Sequence, residues 1–246
     1  MTENNSKEGG VVEPIIEVKN VTKVYKVGTE KVMALDNVSF TINKGDFCCL
    51  LGSSGSGKST LLNLMAGIEK ITKGDILIKG KNVCQMGEHQ LAKFRQKYLG
   101  FVFQSYNLIT SMNALENVAL PLVFKEEKVK VRNQKAKDML VQVGLAERLK
   151  HRPNQMSGGQ QQRVGIARAF VSNPEIVFAD EPTGNLDSKT SKEIMEIIQK
   201  IAKEHNQTIV MVTHDESIAA YANKIVHIHD GQIEKIVEVV KDEEIN

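Results

Sequence analysis

The chain has 246 residues, enough for one large domain or two small ones and for a core that needs no staple. Lys and Arg number 32 against 30 Asp and Glu, a net charge of +2, which argues against a dedicated nucleic-acid binder. With 41% hydrophobic and 25% charged residues it reads as an ordinary soluble globular protein and not a disordered one.

In chain order, residues 1–12 are polar and read as a flexible tail. Weak alternation over 15–25 and 38–42 predicts antiparallel strands. Phe47-Cys48-Cys49-Leu50-Leu51 is apolar throughout and suits a strand buried on both faces. A glycine-rich stretch follows, then a helix over 58–66 that turns Leu61, Leu62, Met65 and Ala66 inward, then a short strand around Ile76 and Ile78. From about His89 to Gly159 the pattern becomes helical, with helices over 90–96, 114–118 and 131–143 punctuated by Pro121, Gly144 and Pro153. Beyond it lie a helix over 160–171, a buried strand over 176–179, a helix over 188–204, a strand over 208–212, a helix over 216–221 and a strand over 225–229. Apolar strands alternating with helices predict a parallel sheet wrapped by helices. Residues 240–246 are charged and expected to fray.

The three cysteines form no CxxC pair, so reduced thiols in a cytosolic protein are expected. No apolar run approaches the ~18 residues that would span a bilayer. The polar start, Met1 to Gly10, lacks the apolar stretch of a secretory signal. Any membrane work is expected to pass through a partner.

Gly52-Ser53-Ser54-Gly55-Ser56-Gly57-Lys58-Ser59-Thr60 fits GxxxxGK[ST], between a predicted buried strand and a predicted helix. Glycines let successive amides point into one concavity, and the helix start adds partial positive charge. Lys58 is expected between the β- and γ-phosphates, and the Ser59 hydroxyl on Mg²⁺. The strand over 176–179 runs into Asp180 and Glu181. Asp180 is read as a Mg²⁺ ligand through water, and Glu181 as the general base for an attacking water. His214 follows another apolar strand and is expected on the same sheet edge, against the γ-phosphate. Ser157-Gly158-Gly159-Gln160 reads as a capping box opening a helix, a second anion-receptive helix start. His227 and His229 share a strand face without a third ligand and read as surface residues.

Together these motifs resemble the nucleotide-binding subunit of an ABC transporter. Gly52 to Ser59 is similar to Walker A and Ile176 to Asp180 to Walker B. Met156-Ser157-Gly158-Gly159-Gln160 is similar to the family signature, with Met in place of Leu. Gln104 matches the Q-loop, Asn185-Leu186-Asp187 the D-loop, His214 the switch histidine, and Tyr25 the aromatic that stacks on adenine. Residues 180–189 and 114–122 further resemble the subgroup containing MacB, LolD, FtsE and the ATPases of peptide-antibiotic resistance pumps.

The resemblance implies an α/β, RecA-like phosphate-loop NTPase core (about 13–90 and 164–231), an antiparallel β subdomain, a helical subdomain over about 91–163 and a charged tail over 232–246. It implies ATP and Mg²⁺ as ligands, with Ser59, Gln104 and Asp180 at the metal and Glu181, His214 and Gln104 in catalysis. It also implies a head-to-tail homodimer in which Ser157 to Gln160 of one subunit closes on ATP held by the other. The partner is a permease received by an apolar groove in the segment from Tyr106 to Phe124, which places the chain peripherally on the cytoplasmic face of the membrane.

Other readings fit less well. A GTPase needs N-K-x-D, and Asn223-Lys224-Ile225-Val226 lacks the carboxylate that reads guanine. A soluble ABC ATPase remodelling a non-transport partner remains the alternative; such proteins usually carry a long coiled coil or a second cassette, for which 246 residues leave no room.

Overall fold

β1 (Pro14–Val27) and β2 (Glu30–Asn43) pair as a long antiparallel hairpin. The computed structural model describes residues 14–239, so the tail over 1–12 and the end over 240–246 lie outside the described residues. β3 (Phe47–Leu51) follows and is buried at every position. After it come α1 (Lys58–Met65), β4 (Lys73–Ile78) and β5 (Lys81–Asn82). The last two return to the hairpin and complete a four-stranded antiparallel sheet in the order β2-β1-β4-β5.

α2 (Glu88–Tyr98) leads directly into β6 (Leu99–Phe103). Three helices follow: α3 (Ala114–Phe124), α4 (Val129–Gln142) and α5 (Gly158–Phe170). Then come β7 (Ile176–Asp180), α6 (Ser188–Glu204), β8 (Thr208–Thr213), the short α7 (Glu216–Ala219), β9 (Lys224–His229) and β10 (Gln232–Glu238). The second sheet has the order β10-β9-β3-β8-β7-β6. All its pairings are parallel except that of β10 with β9. The fold is therefore α/β, a phosphate-loop core with an antiparallel sheet against it and a helical insert.

Alternate residues of β3 serve opposite faces. Cys48 and Leu50 pack with Leu35, Ile42, Leu61 and Met65 in the layer shared with the antiparallel sheet. Phe47, Cys49 and Leu51 join the layer of Met211, Ile194, Ile198, Val164 and Phe170 on the helical side. α6 supplies that layer through Ile194, Ile198 and Ile201, a buried stripe at helical spacing.

Three sequence expectations shift. The helical subdomain expected over about 91–163 begins later, because Leu99–Phe103, left unassigned by the sequence pattern, is a strand of the core sheet paired in parallel with β7. A five-residue apolar run fused to a helix carries no periodicity that separates strand from helix. The stretch read as a tail from 232 onward begins with β10, an exposed edge strand whose pattern shows no buried face. The helix expected over 114–118 continues through Pro121 to Phe124. An internal proline costs roughly 3 kcal/mol, and the complete burial of Val118 and Leu122 against the insert's core offsets it.

Register then positions the functional residues. Leu51 pairs with Thr213, Asp180 with Val212 and Phe103 with Asp180. The residues that follow these strand ends, Gly52, Gln104, Glu181 and His214, leave the sheet along one edge. In a parallel sheet that carboxyl edge is where ligands bind.

Candidate nucleotide site

The phosphate loop joins β3 to α1. Gly57 caps α1 at φ 100°, a left-handed conformation open to glycine. A Cβ there would stand 2.5 Å from the Ala34 carbonyl oxygen. At Gly52 a Cβ would fall 2.1 Å from the Ile228 carbonyl oxygen, so the loop passes β9 as bare backbone. No side chain caps α1, which leaves its first-turn amides available to an anion. The buried Ser56 hydroxyl has no partner among the described residues, a polar orphan that such a ligand would satisfy. Lys58 is buried and folds back over the loop, its Nζ donating to the Ser53 carbonyl at 2.6 Å. Burial pulls its pKa below the usual lysine value, against the opposing charges of Glu181 and Asp180.

Those two carboxylates arrive from the end of β7. Ser59 Oγ donates to Asp180 Oδ1 at 2.9 Å. Burial pushes the Asp180 carboxyl up; the Ser59 hydrogen bond and the Lys58 charge oppose the shift, and Glu181 adds to it. Glu181 has a left-handed backbone, φ 42°, and its N–H donates to the Val212 carbonyl at 3.1 Å. Such a conformation in a residue with a side chain is stored strain of the kind that collects at functional sites. His214 Nδ1 lies 3.1 Å from Glu181 Oε1. Gln104 completes the group: a Cβ built on Gly184 would meet Gln104 Nε2 at 2.8 Å and Glu181 Oε2 at 3.1 Å, so the amide and the carboxylate flank one glycine. A cavity of about 390 Å³ opens beside Glu181 and His214.

Tyr25, on β1, stands beside α1. Its hydroxyl donates to Glu69 Oε2 at 2.6 Å, and Lys23 Nζ lies 4.6 Å from its ring centroid. Burial, then the Glu69 hydrogen bond, raises the phenol's pKa; Thr60, in the first turn of α1, approaches the same oxygen and works against the shift.

Ser157 to Gln160 lie apart from this group. Ser157 caps α5, its Oγ accepting from Gln160 N–H at 3.3 Å while Gln160 Oε1 accepts from Ser157 N–H at 3.1 Å. With Asn185 and Asp187 they line a separate cavity of about 410 Å³, to which none of Lys58, Ser59, Glu181 or His214 contributes. Asn185 links the two regions, its Nδ2 donating to the Gln104 carbonyl at 3.0 Å. Sequence reasoning missed Glu69 and Tyr106. The Tyr106 hydroxyl would stand 2.8 Å from a Cβ on Gly158, and Arg168 Nη2 donates to the Tyr106 carbonyl at 2.8 Å. Both sit in loops, where no periodicity marks a contact to a distant element.

Farther along, an apolar groove of about 700 Å³ runs between α2, β6 and α3, lined by Phe101, Phe103, Leu120, Pro121 and Phe124. Phe124 in its wall is 65% exposed. No helix among the described residues is long and apolar enough to cross a membrane.

The family model described as ABC transporter matches residues 35–184, more than half of the chain, and spans every feature from the phosphate loop through Glu181. The chain belongs to the ABC transporter family. As an ATP-binding cassette it is an ATPase. It is 48% identical to the ABC transporter ATP-binding protein MJ1508 of Methanocaldococcus jannaschii, over 91% of this chain and 99% of that one. It is 44% identical to the macrolide export ATP-binding/permease protein MacB of Hyphomonas neptunium, over 89% of this chain but only 34% of that longer protein. Among solved structures it is similar to the dimeric MJ0796 cassette in a post-hydrolysis state bound to ADP and Pi. The TM-score is 0.86 and the identity 43%, covering 92% of this chain and 99% of that one.

Proposed function

We propose that this ABC cassette hydrolyses ATP in a head-to-tail homodimer and drives a permease of the MacB or LolD type. The observation that carries the reading is the convergence of Lys58, the Ser59–Asp180 pair and the Glu181–His214 pair on one sheet edge. In this reading the amides at the start of α1 and Lys58 hold the β- and γ-phosphates. Glu181 accepts a proton from the attacking water, oriented by His214, while Gln104 borders the same space.

Ser59 and Asp180 already converge to 2.9 Å as oxygen donors, with the Gln104 side chain near Glu181. That hard, incomplete set fits Mg²⁺, which keeps waters and phosphate oxygens as its other ligands. Bound there, Mg²⁺ would neutralise phosphate charge.

The cavity at the start of α5 is lined by none of Lys58, Glu181 and His214. That helix start therefore makes sense as the lid of a second subunit's site, where Ser157 and the following amides add donors and exclude water. The dimeric state of the MJ0796 cassette supports a dimer by similarity. ATP then favours the closed dimer through differential affinity, and loss of the γ-phosphate opens it. The apolar groove at Phe101, Leu120 and Phe124 is the surface best suited to an amphipathic permease helix, which would hold the chain on the cytoplasmic face of the membrane.

Glu181→Gln tests the reading. It keeps the shape of the side chain and removes the base, so turnover should fall by roughly 10²–10⁴. ATP binding should persist, and the variant should elute as a dimer with ATP and Mg²⁺. A fully active, monomeric variant would refute the assignment.

A further inference from the structure

The base and phosphate ends of a nucleotide are met by different parts of this fold. Tyr25 belongs to the antiparallel sheet, whereas the phosphate loop and α1 belong to the core. Thr60, in the first turn of α1, approaches the Tyr25 hydroxyl, and a second side chain, beyond the end of that helix, ties the two parts together more extensively. Glu69 lies just beyond α1, where the Ile68 N–H still donates to the Asn63 carbonyl at 2.9 Å. Its Oε2 accepts from the Tyr25 hydroxyl at 2.6 Å and faces Lys23 Nζ at 3.3 Å. Its other oxygen, Oε1, accepts from Asn63 Nδ2 on α1 at 3.4 Å. Lys23 is held in turn by the Lys70 carbonyl at 2.7 Å and lies over the Tyr25 ring. The carboxylate thus has one oxygen on the helix that follows the phosphate loop and the other on the aromatic ring.

We propose that Glu69 is a positioning residue for nucleotide binding, bridging α1 to Tyr25 and fixing the spacing between the base platform and the phosphate loop. The inference rests on the reading that Tyr25 carries adenine. Burial alone would raise the Glu69 carboxyl; the hydrogen bonds from Tyr25, Lys23 and Asn63 together with the Lys23 charge outweigh it and hold the group below the usual glutamate range. The bridge is therefore ionised at neutral pH. A phenol donating to a carboxylate forms one of the stronger classes of hydrogen bond, which makes this contact suited to fixing a ring plane. A ring freed from it would sample several rotamers, and each ATP bound would have to order it again.

The test uses the full-length protein with Glu69→Ala, Glu69→Gln and Tyr25→Ala. ATP turnover is followed for KM and kcat separately, and inorganic tripolyphosphate serves as an inhibitor that fills the phosphate loop without a base. Glu69→Ala should raise KM for ATP roughly tenfold, with kcat and tripolyphosphate inhibition unchanged. Glu69→Gln, which keeps an oxygen for the phenol, should recover most of the loss. The double variant with Tyr25→Ala should be no worse than Tyr25→Ala alone, because the two act through one ring. If Tyr25→Ala raises KM and Glu69→Ala does not, the bridge is wrong while the base platform stands. If Tyr25→Ala leaves KM unchanged, the base platform itself is wrong. Equal weakening of tripolyphosphate by Glu69→Ala would reduce Glu69 to a support of α1 and overturn the inference.

Discussion

The starts of α1 and α5 are both glycine-rich, and both offer first-turn amides to an anion, but their surroundings differ in kind. Gly57 opens α1 without any side-chain cap, and Lys58, Asp180 and Glu181 gather around that opening. Ser157 opens α5 with a reciprocal cap to Gln160, and its cavity is shared with Asn185 and Asp187, not with the catalytic group. The first is incomplete until a ligand arrives, as the orphaned Ser56 hydroxyl indicates. The second has the Gln160 amide capped within its own chain, which leaves the Gly158 and Gly159 amides as its donors. On the proposed reading, the same backbone physics gives a binding site in one place and a closing surface in the other, depending on whether charged side chains converge there.

Perturbing each helix start should produce different failures. Lys58→Ala removes a buried, charge-assisted contact and should lower ATP affinity on the order of 100-fold, measured by calorimetry on the isolated subunit. Unchanged affinity would strip α1 of its distinction. Ser157→Ala should leave that calorimetric affinity untouched, because in the proposed dimer the serine serves the nucleotide held by the other chain. It should lower steady-state ATPase roughly tenfold and cost about 1 kcal/mol of stability through the lost cap. A fall in single-subunit ATP affinity would mean that α5 serves its own site.

The smallest effect concerns the strand that seats the phosphate loop. Cys48 and Cys49 of β3 are fully buried, and burial pushes the Cys49 thiol up to about 12 and raises Cys48 as well. Cys84 is half-buried. An aromatic disulfide reagent should therefore find one reactive thiol in the folded protein and all three in denaturant. Rapid reaction of three in the native state would show that α1 springs from a loose base.

Much of this was legible from residues alone, because phosphate chemistry imposes rigid local patterns. The loop from Gly52 to Thr60 needs a strand, a glycine turn and a helix in immediate succession, so sequence spacing alone reveals it. Asp180 and Glu181 were readable because an apolar strand runs straight into them. β6 was hidden by its fusion to α2, and with it the register that delivers Gln104 to the sheet edge. β10 was hidden because an exposed edge strand buries too little to show alternation. The Glu69 bridge and the Tyr106 contact to Gly158 join residues 44 and about 50 positions apart, and no periodic signal encodes a contact from a loop to a distant strand or helix.

The assembly is tested most directly by joining the two helix starts across subunits. Ser54→Cys and Ser157→Cys are placed separately in Glu181→Gln chains that also carry Cys84→Ser to remove the half-buried native thiol, and these are mixed with ATP and Mg²⁺ and treated with a short thiol crosslinker. Covalent dimers should form in the mixture and depend on ATP, with neither variant forming them alone. Equal yields from each variant alone, loop to loop or cap to cap, would contradict a site built from the phosphate loop of one chain and the serine-capped helix of the other.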